Sequence, residues 1–296
     1  MKSPYTAITV IFNPSSSGHS EKLARDLQKR LLAAAPHLRV ELVPTEFARH
    51  AEELAKQAAL ATAKPLVISA SGDGGYNEVI NGLMKAKALG AKPTAGLLPA
   101  GNANDHHRNL HHGDIVEAIL RSKTQRVDLL MLQANSNNLP VERYAHSYIG
   151  LGLTPQVGQK LNSTQLNRLK EVLIVIRVLV SLKPVTLIIN RQAHAYDSLI
   201  ISNVPKMSKY FKVSPQAKVN DGKFELTMFR WRNKLKFVRW FIAASTTGMP
   251  LADQRSHFSF RTLYSTPAQL DGEILTLDAK TKVVVTIKHN ALRCVV

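Results

Sequence analysis

Three glycine-bearing turns, each directly after a strand-length apolar run, constrain this sequence more than any other feature. Asn13-Pro14-Ser15-Ser16-Ser17-Gly18 follows the run 8–12, Ser71-Gly72-Asp73-Gly74-Gly75-Tyr76-Asn77-Glu78 closes the run 66–71, and Pro99-Ala100-Gly101-Asn102-Ala103-Asn104-Asp105 closes the run 94–99. A further apolar run spans 38–43, and segments of helical period lie at 20–35, 48–63 and 77–88. Strands alternating with helices predict a wound α/β unit with a parallel sheet. The ends of such strands face one crevice, where ligands bind. One such turn alone is a tight turn; three in succession describe a site. Glycine lets the backbone approach a bulky anion, and the amides at the following helix start point at it, so the site is suited to a nucleotide.

The pattern changes after 127–133. The polar stretch 134–140 reads as a turn or linker tip. Beyond it the runs 143–149, 185–189, 198–202, 224–229, 257–263, 274–277 and 283–288 are strand-like, with turn signals between them. Helical patterns are inserted at 164–182 and 233–245. The expectation is an α/β N-terminal domain over 1–133 and a mostly-β, sandwich-like domain over 134–296. Its last strand is free to return to the first domain, and the active site lies in the cleft between the two.

Composition sets the outer limits. The 296 residues are 45% apolar and 20% charged, which predicts a soluble, folded chain able to bury large cores. Cys294 is the single cysteine, so no intrachain disulfide argues for an oxidising compartment, and the cytoplasm is the expected location. The N-terminal apolar run is too short for a signal-peptide core. The run 172–182, interrupted by Arg177, falls short of the roughly 18 uncharged residues that spanning a bilayer requires. The formal net charge of +18 draws the chain toward phosphate-rich surfaces, nucleic acid or anionic lipid.

In order and spacing the three turns, together with Asn77-Glu78-Val79-Ile80-Asn81-Gly82 and the later Leu270-Asp271-Gly272-Glu273, resemble the diacylglycerol kinase catalytic family, which includes bacterial lipid kinases and the sphingosine and ceramide kinases. The resemblance implies transfer of the γ-phosphoryl group of ATP to a lipid hydroxyl. It implies ATP contacts from Asn13, Pro14, Ser15, Ser16 and Ser17, from Thr45, from Ser71, Gly72, Asp73, Gly74, Gly75, Tyr76 and Asn77, and from Asn102. It makes Glu273 the proton acceptor, and places a Mg²⁺ on the second domain through Lys218, Asp221 and Lys223. The sequence departs from the family at several points. Gly-Gly-Asp-Gly-Thr is here Ser71-Gly72-Asp73-Gly74-Gly75, and Gly-Thr-x-Asn-Asp is here Gly101-Asn102-Ala103-Asn104-Asp105. An extra serine precedes Gly18, and Thr154 stands where many members carry Asp. Two hydroxyl contacts to phosphate are therefore missing or replaced, since Gly75 offers only backbone.

The chemistry of these residues fits those roles. Phosphoryl transfer needs charge neutralisation and an acceptor held in line. Asp73 is the candidate to hold the Mg²⁺ of ATP, which takes only one or two carboxylates. Asp271 and Glu273 lie two apart across a glycine, so both carboxylates can face one opening, and Glu273 can take the acceptor's proton. A plain hairpin turn reads the same three residues equally well. Lys218 to Lys223 suits a hard cation or an ordinary Asn-Asp-Gly turn. Residues 229–241 hold both tryptophans among basic residues, as in an interfacial helix on an anionic membrane or a core stripe with a solvated face. His106, His107, His111 and His112 match no zinc spacing. The expectation is thus a cytoplasmic enzyme working at the inner membrane face on a lipid acceptor, with homodimerisation left open. An NAD-kinase-like enzyme for a soluble substrate and a non-catalytic ATP- or lipid-binding relative are the alternatives. A nucleic-acid binder explains the charge but none of the turns.

Overall fold

The computed structural model describes residues 5–16, 19–110, 113–136, 139–162, 183–207, 212, 214–230 and 252–296. The helices expected at 164–182 and 233–245, and the basic aromatic segment from 231 onward, lie outside the described residues. The chain divides into two compact units, one of residues 1–129 with 289–296 and the other of residues 130–288.

The first unit runs β1 (Ala7–Phe12), α1 (Ser20–Ala34), β2 (Val40–Pro44), α2 (His50–Leu60), β3 (Pro65–Ser71), α3 (Asp73–Ala88), β4 (Thr94–Pro99), α4 (Asp105–Leu110) and α5 (Ile115–Leu120). Its strands lie parallel in the order β2-β1-β3-β4. Beyond β4 the sheet gains the far end of the last strand, where Arg293 and Cys294 pair in parallel with Thr94 and Ala95. The first six residues of β3 are buried, as a strand covered on both faces must be. On one face α1 turns Ser20, Ala24, Leu27 and Leu31 inward, and its apolar members join Ile8, Val10, Leu66 and Ile68 in one core.

Helices α2 and α3 pack closely, and a glycine permits it. A Cβ at Gly82 would lie 2.2 Å from the Glu52 carbonyl oxygen and 2.9 Å from Ala55 Cβ. Gly82 thus serves helix packing rather than the phosphate-facing edge. Buried Glu52 is held there by Lys85 (2.6 Å) and Arg49 (3.0 Å).

In the second unit β5 (Thr124–Ser136), which starts in the first unit, is followed by β6 (Leu139–Ala145), β7 (Tyr148–Gly152) and α6 (Leu153–Asn162). Then come β8 (Val185–Ile189), β9 (Gln192–Tyr196), β10 (Ser198–Ser202), β11 (Phe224–Phe229), β12 (Asp253–Arg255), β13 (His257–Thr262), β14 (Thr266–Leu270), β15 (Glu273–Leu277) and β16 (Lys282–Val295). One sheet has the order β12-β11-β10-β7-β14-β15. The other layer contains β9, β8, β13 and the first part of β16, with β5 and β6 alongside. Leu130, Leu132, Phe258, Phe260, Val283 and Val285 from this layer share a core with Ile149, Leu151, Leu199, Ile201, Phe224 and Leu270 from the first. That is a β-sandwich.

The polar stretch at 134–140 is no linker. Residues 134–136 pair antiparallel with 139–141, so it is the end of a hairpin. The run 143–149 is two strands broken at His146-Ser147, and 283–288 is part of a 14-residue strand. The chain passes between the units along β5 and β16. At that crossing the buried Asp128 carboxylate accepts the Asn290 amide (2.6 Å) and meets His289 Nδ1 at 2.9 Å.

Replacing Gly82 by alanine separates propensity from packing. In an open helix the change is favourable by about 1 kcal/mol. Here the new methyl meets a backbone oxygen that cannot swing aside, and overpacking costs about 1–3 kcal/mol or more. Gly82→Ala should therefore lower the thermal midpoint by several degrees, measured by circular dichroism.

Candidate functional site

The strand ends of the first unit are level. Phe12 pairs with Pro44 on one side and Ala70 on the other, Ala70 with Leu98, and Ser71 with Pro99. The residues that follow, Asn13, Thr45, Gly72 and Ala100, therefore leave the sheet at one edge. Thr45 is anchored there by its amide, which donates to the Phe12 carbonyl (2.8 Å).

Each turn is built by its own side chains. Asn13 Oδ1 accepts the Ser15 amide (2.9 Å), and the Asn13 carbonyl accepts the Ser16 amide (3.1 Å) and the Ser20 hydroxyl (2.6 Å). Asn13, Pro14 and Ser15 stand exposed, while Ser17 and Gly18 lie outside the described residues. Asn104, at φ 52°, folds back on the third turn: its Oδ1 accepts the Gly101 amide (2.9 Å) and its Nδ2 donates to the Gly101 carbonyl (2.7 Å). Asn102 is left exposed on the outside.

The second and third turns touch backbone to backbone. A Cβ on Gly101 would lie 2.4 Å from Gly72 Cα, and one on Gly72 would lie 3.0 Å from Gly101 Cα. The Ala100 amide donates to the Ser71 carbonyl (3.0 Å), and the Asp105 amide donates to Asp73 Oδ1 (2.7 Å). Helix α3 starts at Asp73, four residues earlier than its sequence period suggests, with Gly72 as its N-cap. Asp73, Gly74 and Gly75 thus form its first turn, whose N–H groups have no carbonyl below them within the helix. The positive end of the helix dipole is at this edge.

Two residues expected at the edge face the core instead. Tyr76 is buried, its hydroxyl 3.2 Å from His106 Nε2 and 3.6 Å from Cys294 Sγ. Burial pushes that thiol up to about 12. Asn77 is buried too, its side-chain and main-chain oxygens both accepting from Asn81 Nδ2. Their side chains hold α3 in place. Glu78 accepts the Arg49 amide (3.1 Å) and so supports the start of α2; burial raises its carboxyl, partly opposed by backbone bonds from Arg49 and Ala51.

In the second unit, Asp271 and Glu273 do not face one opening. Asp271 is buried at φ 54° in the two-residue turn joining β14 to β15. Its carboxylate accepts three backbone amides, from His146 (2.8 Å), Ser147 (2.9 Å) and Tyr148 (3.0 Å), while its own amide donates to the Tyr148 carbonyl (3.0 Å). It ties the break between β6 and β7 to the hairpin from which half-buried Glu273 begins β15. Its carboxylate is buried and faces the backbone of His146 to Tyr148 rather than solvent.

At the expected cation loop Asp221 Oδ1 accepts the Lys223 amide (3.0 Å), and Lys218 and Lys223 are exposed. Nearby Glu225 is buried and accepts Gln254 Nε2 (3.2 Å). Burial first, and then the charge of Asp221, push its carboxyl up to about 7. Among the described residues no three His, Cys, Asp or Glu side chains form a metal-binding group. No described helix is long and apolar enough to cross a membrane.

Comparison with known proteins matches residues 7–132 to the diacylglycerol kinase catalytic domain. This segment contains all three turns. Residues 7–132 form a domain of the diacylglycerol kinase catalytic family. Over 245 residues the chain is 29% identical to a diacylglycerol kinase of Bacillus subtilis, covering 78% of this chain and 76% of that one. It is 28% identical over 245 residues to a diacylglycerol kinase of Staphylococcus haemolyticus, covering 76% and 67%. Its fold is similar to the crystal structure of a diacylglycerol kinase from Bacillus anthracis, with a TM-score of 0.72 over 100% of this chain and 98% of that one at 17% identity.

Within this diacylglycerol kinase domain, sequence reasoning missed the Ser20 hydroxyl, the Asp105 amide and the role of Glu78. Ser20 acts from the start of α1 on the turn just before it, Glu78 acts from α3 on a residue 29 positions away, and an amide donor carries no residue signature. For Asp271, whose Oδ2 also lies 3.2 Å from His146 Nε2, substitution by asparagine retains the shape and the left-handed backbone, but turns an acceptor of three backbone amides into a group that must aim an NH₂ at some of them. Hydrogen bonds to charged groups contribute about 1.5–3 kcal/mol. Asp271→Asn is expected to lose about that much stability in urea unfolding, with an unchanged slope.

Proposed function

We propose that this protein is an ATP- and Mg²⁺-dependent lipid kinase, transferring the γ-phosphoryl group of ATP to a hydroxyl of diacylglycerol or a related lipid. The observation that carries this reading is the level edge of the first unit, where the Gly72 and Gly101 backbones meet under the open first turn of α3. The relatives named as diacylglycerol kinases support the lipid as acceptor. The net charge of +18 supports an anionic bilayer as the working surface.

In this reading the amides of Asp73, Gly74 and Gly75 receive phosphate oxygens, as helix starts do. The exposed Asn13 to Ser15 turn and Asn102 flank them, with Thr45 on the far side of β1. Asp73 fits a Mg²⁺ partner: one carboxylate oxygen is fixed by the Asp105 amide, and a carboxylate has acceptor capacity beyond that bond. Bound Mg²⁺ neutralises the charge on the transferring group. The acceptor oxygen forms a bond to the γ-phosphorus as the bond to the β–γ bridging oxygen breaks, and the acceptor's proton passes to Glu273, leaving ADP. Asp271 holds the turn that presents Glu273.

A second cation fits at Asp221. Its charge opposes ionisation of buried Glu225, and a divalent ion at Asp221 would relieve that. Main-chain carbonyls near Lys218 and Lys223, rather than their ammonium groups, would complete the ligands.

Glu273→Gln should fold normally and turn over at less than a tenth of the wild-type rate, read from labelled ATP with Mg²⁺, a panel of lipid extracts and NAD, and chromatography of the products. A variant above that rate removes Glu273 as base, and phosphorylated NAD in place of lipid overturns the acceptor.

The second cation has a separate signature. Glu225 has a folded pKa raised from near 4.5 to about 7, so the folded state holds a proton that the unfolded chain has released. Stability contributed by this group is present at low pH and falls as pH rises from about 4.5 through about 7. Added Mg²⁺ should raise the thermal midpoint at pH 7.5, and Asp221→Asn should abolish that rise.

A further inference from the structure

The first turn of α3 has room for one hydroxyl, and the strand supplies it. Ser71, the last residue of β3, lies immediately before the N-cap, and Gly75 is the third residue of the helix. A Cβ at position 75 would lie 2.7 Å from Ser71 Cβ and 2.7 Å from Ser71 Oγ. Rotating the hydroxyl relieves only the second contact, because Ser71 Cβ is fixed by the strand. Side chains at 71 and 75 therefore exclude each other.

The Ser71 hydroxyl is also poised. It lies 2.7 Å from the hydroxyl of Ser69, which is buried, and donates to the Gly72 carbonyl at 3.0 Å. With Ser71 as that donor, Ser69 donates to Ser71, which keeps Ser71 Oγ in place while its own hydrogen turns to another acceptor. Ser71 is itself half-buried at the level edge.

We propose that the Ser71 hydroxyl is the side-chain donor this turn gives to a nucleotide phosphate, filling from the strand the space that a side chain at 75 would fill from the helix. Gly75 is then the consequence of Ser71 rather than a lost contact. The assignment rests on the nucleotide reading of this edge, and it makes the turn complete despite its departure from the Gly-Gly-Asp-Gly-Thr pattern.

The test combines two readouts, the thermal midpoint without nucleotide and ATP affinity by calorimetry with Mg²⁺ and no lipid. Ser71→Ala keeps the Cβ and deletes the hydroxyl, so the midpoint should fall by a few degrees as buried Ser69 loses its acceptor, while ATP binding weakens about tenfold, as for a hydrogen bond to a charged group. Gly75→Thr alone should lower both midpoint and affinity. The double variant Ser71→Gly/Gly75→Thr moves the hydroxyl to the helix, and should recover the midpoint and return ATP affinity to within about threefold of wild type. Wild-type affinity in Ser71→Ala, or a Gly75→Thr protein as stable as wild type, overturns the assignment and leaves the proposed function standing. Failure of the wild-type protein to bind ATP overturns the proposed function and this assignment with it.

Discussion

Two backbones that approach to van der Waals contact, at Gly72 and Gly101, fix the geometry of the whole strand-end edge. No other residue lets two main chains come so near, because any side chain at 101 would enter the space of Gly72 Cα. With the turns that close, the chain has no room for a loop between β3 and α3, and the helix begins at once. The Asp105 amide is then within reach of Asp73, so the start of α4 is registered against the start of α3. A rigid edge follows from main-chain geometry, and the local side chains of Asn13 and Asn104 need only shape their own turns.

The same economy explains what was legible in the sequence and what was not. Runs 94–99, 185–189, 198–202 and 224–229 coincide with strands β4, β8, β10 and β11, because buried strands need unbroken apolar or β-branched residues and their neighbours punctuate them. The start of α3 was hidden because Gly-Asp-Gly-Gly has poor helix propensity, and the tertiary contact at Gly101 overrides it. Strands β9 and β12 were missed since most of their residues are exposed: β9 alternates only alanines with polar or aromatic residues, and β12 is polar throughout. The length of β16 was masked by Lys288-His289-Asn290, polar where the strand leaves one unit for the other.

Among the site residues, the motif letters were readable but the duties behind them were not. Tyr76, Asn77 and Gly82 carry the same motif as Asp73, yet helical periodicity turns them inward to the core, to Asn81 and to α2. Asp271 and Glu273 are one residue apart from being neighbours, and the pleat and the turn send one inside and leave the other at the strand's start. A motif defines which residues recur together. Only the element on which each one lies says whether it meets ligand, backbone or core.

The pairing of Arg293 and Cys294 with β4 has a consequence for synthesis on the ribosome. The first unit takes residues 289–296 from beyond the sandwich, so β4 emerges with one hydrogen-bonding edge unpartnered and waits through the entire sandwich before its neighbour arrives. Domain-by-domain folding, the usual order for a nascent chain, is thus unavailable to this protein in its simple form. The first unit is begun before the sandwich and completed only after it.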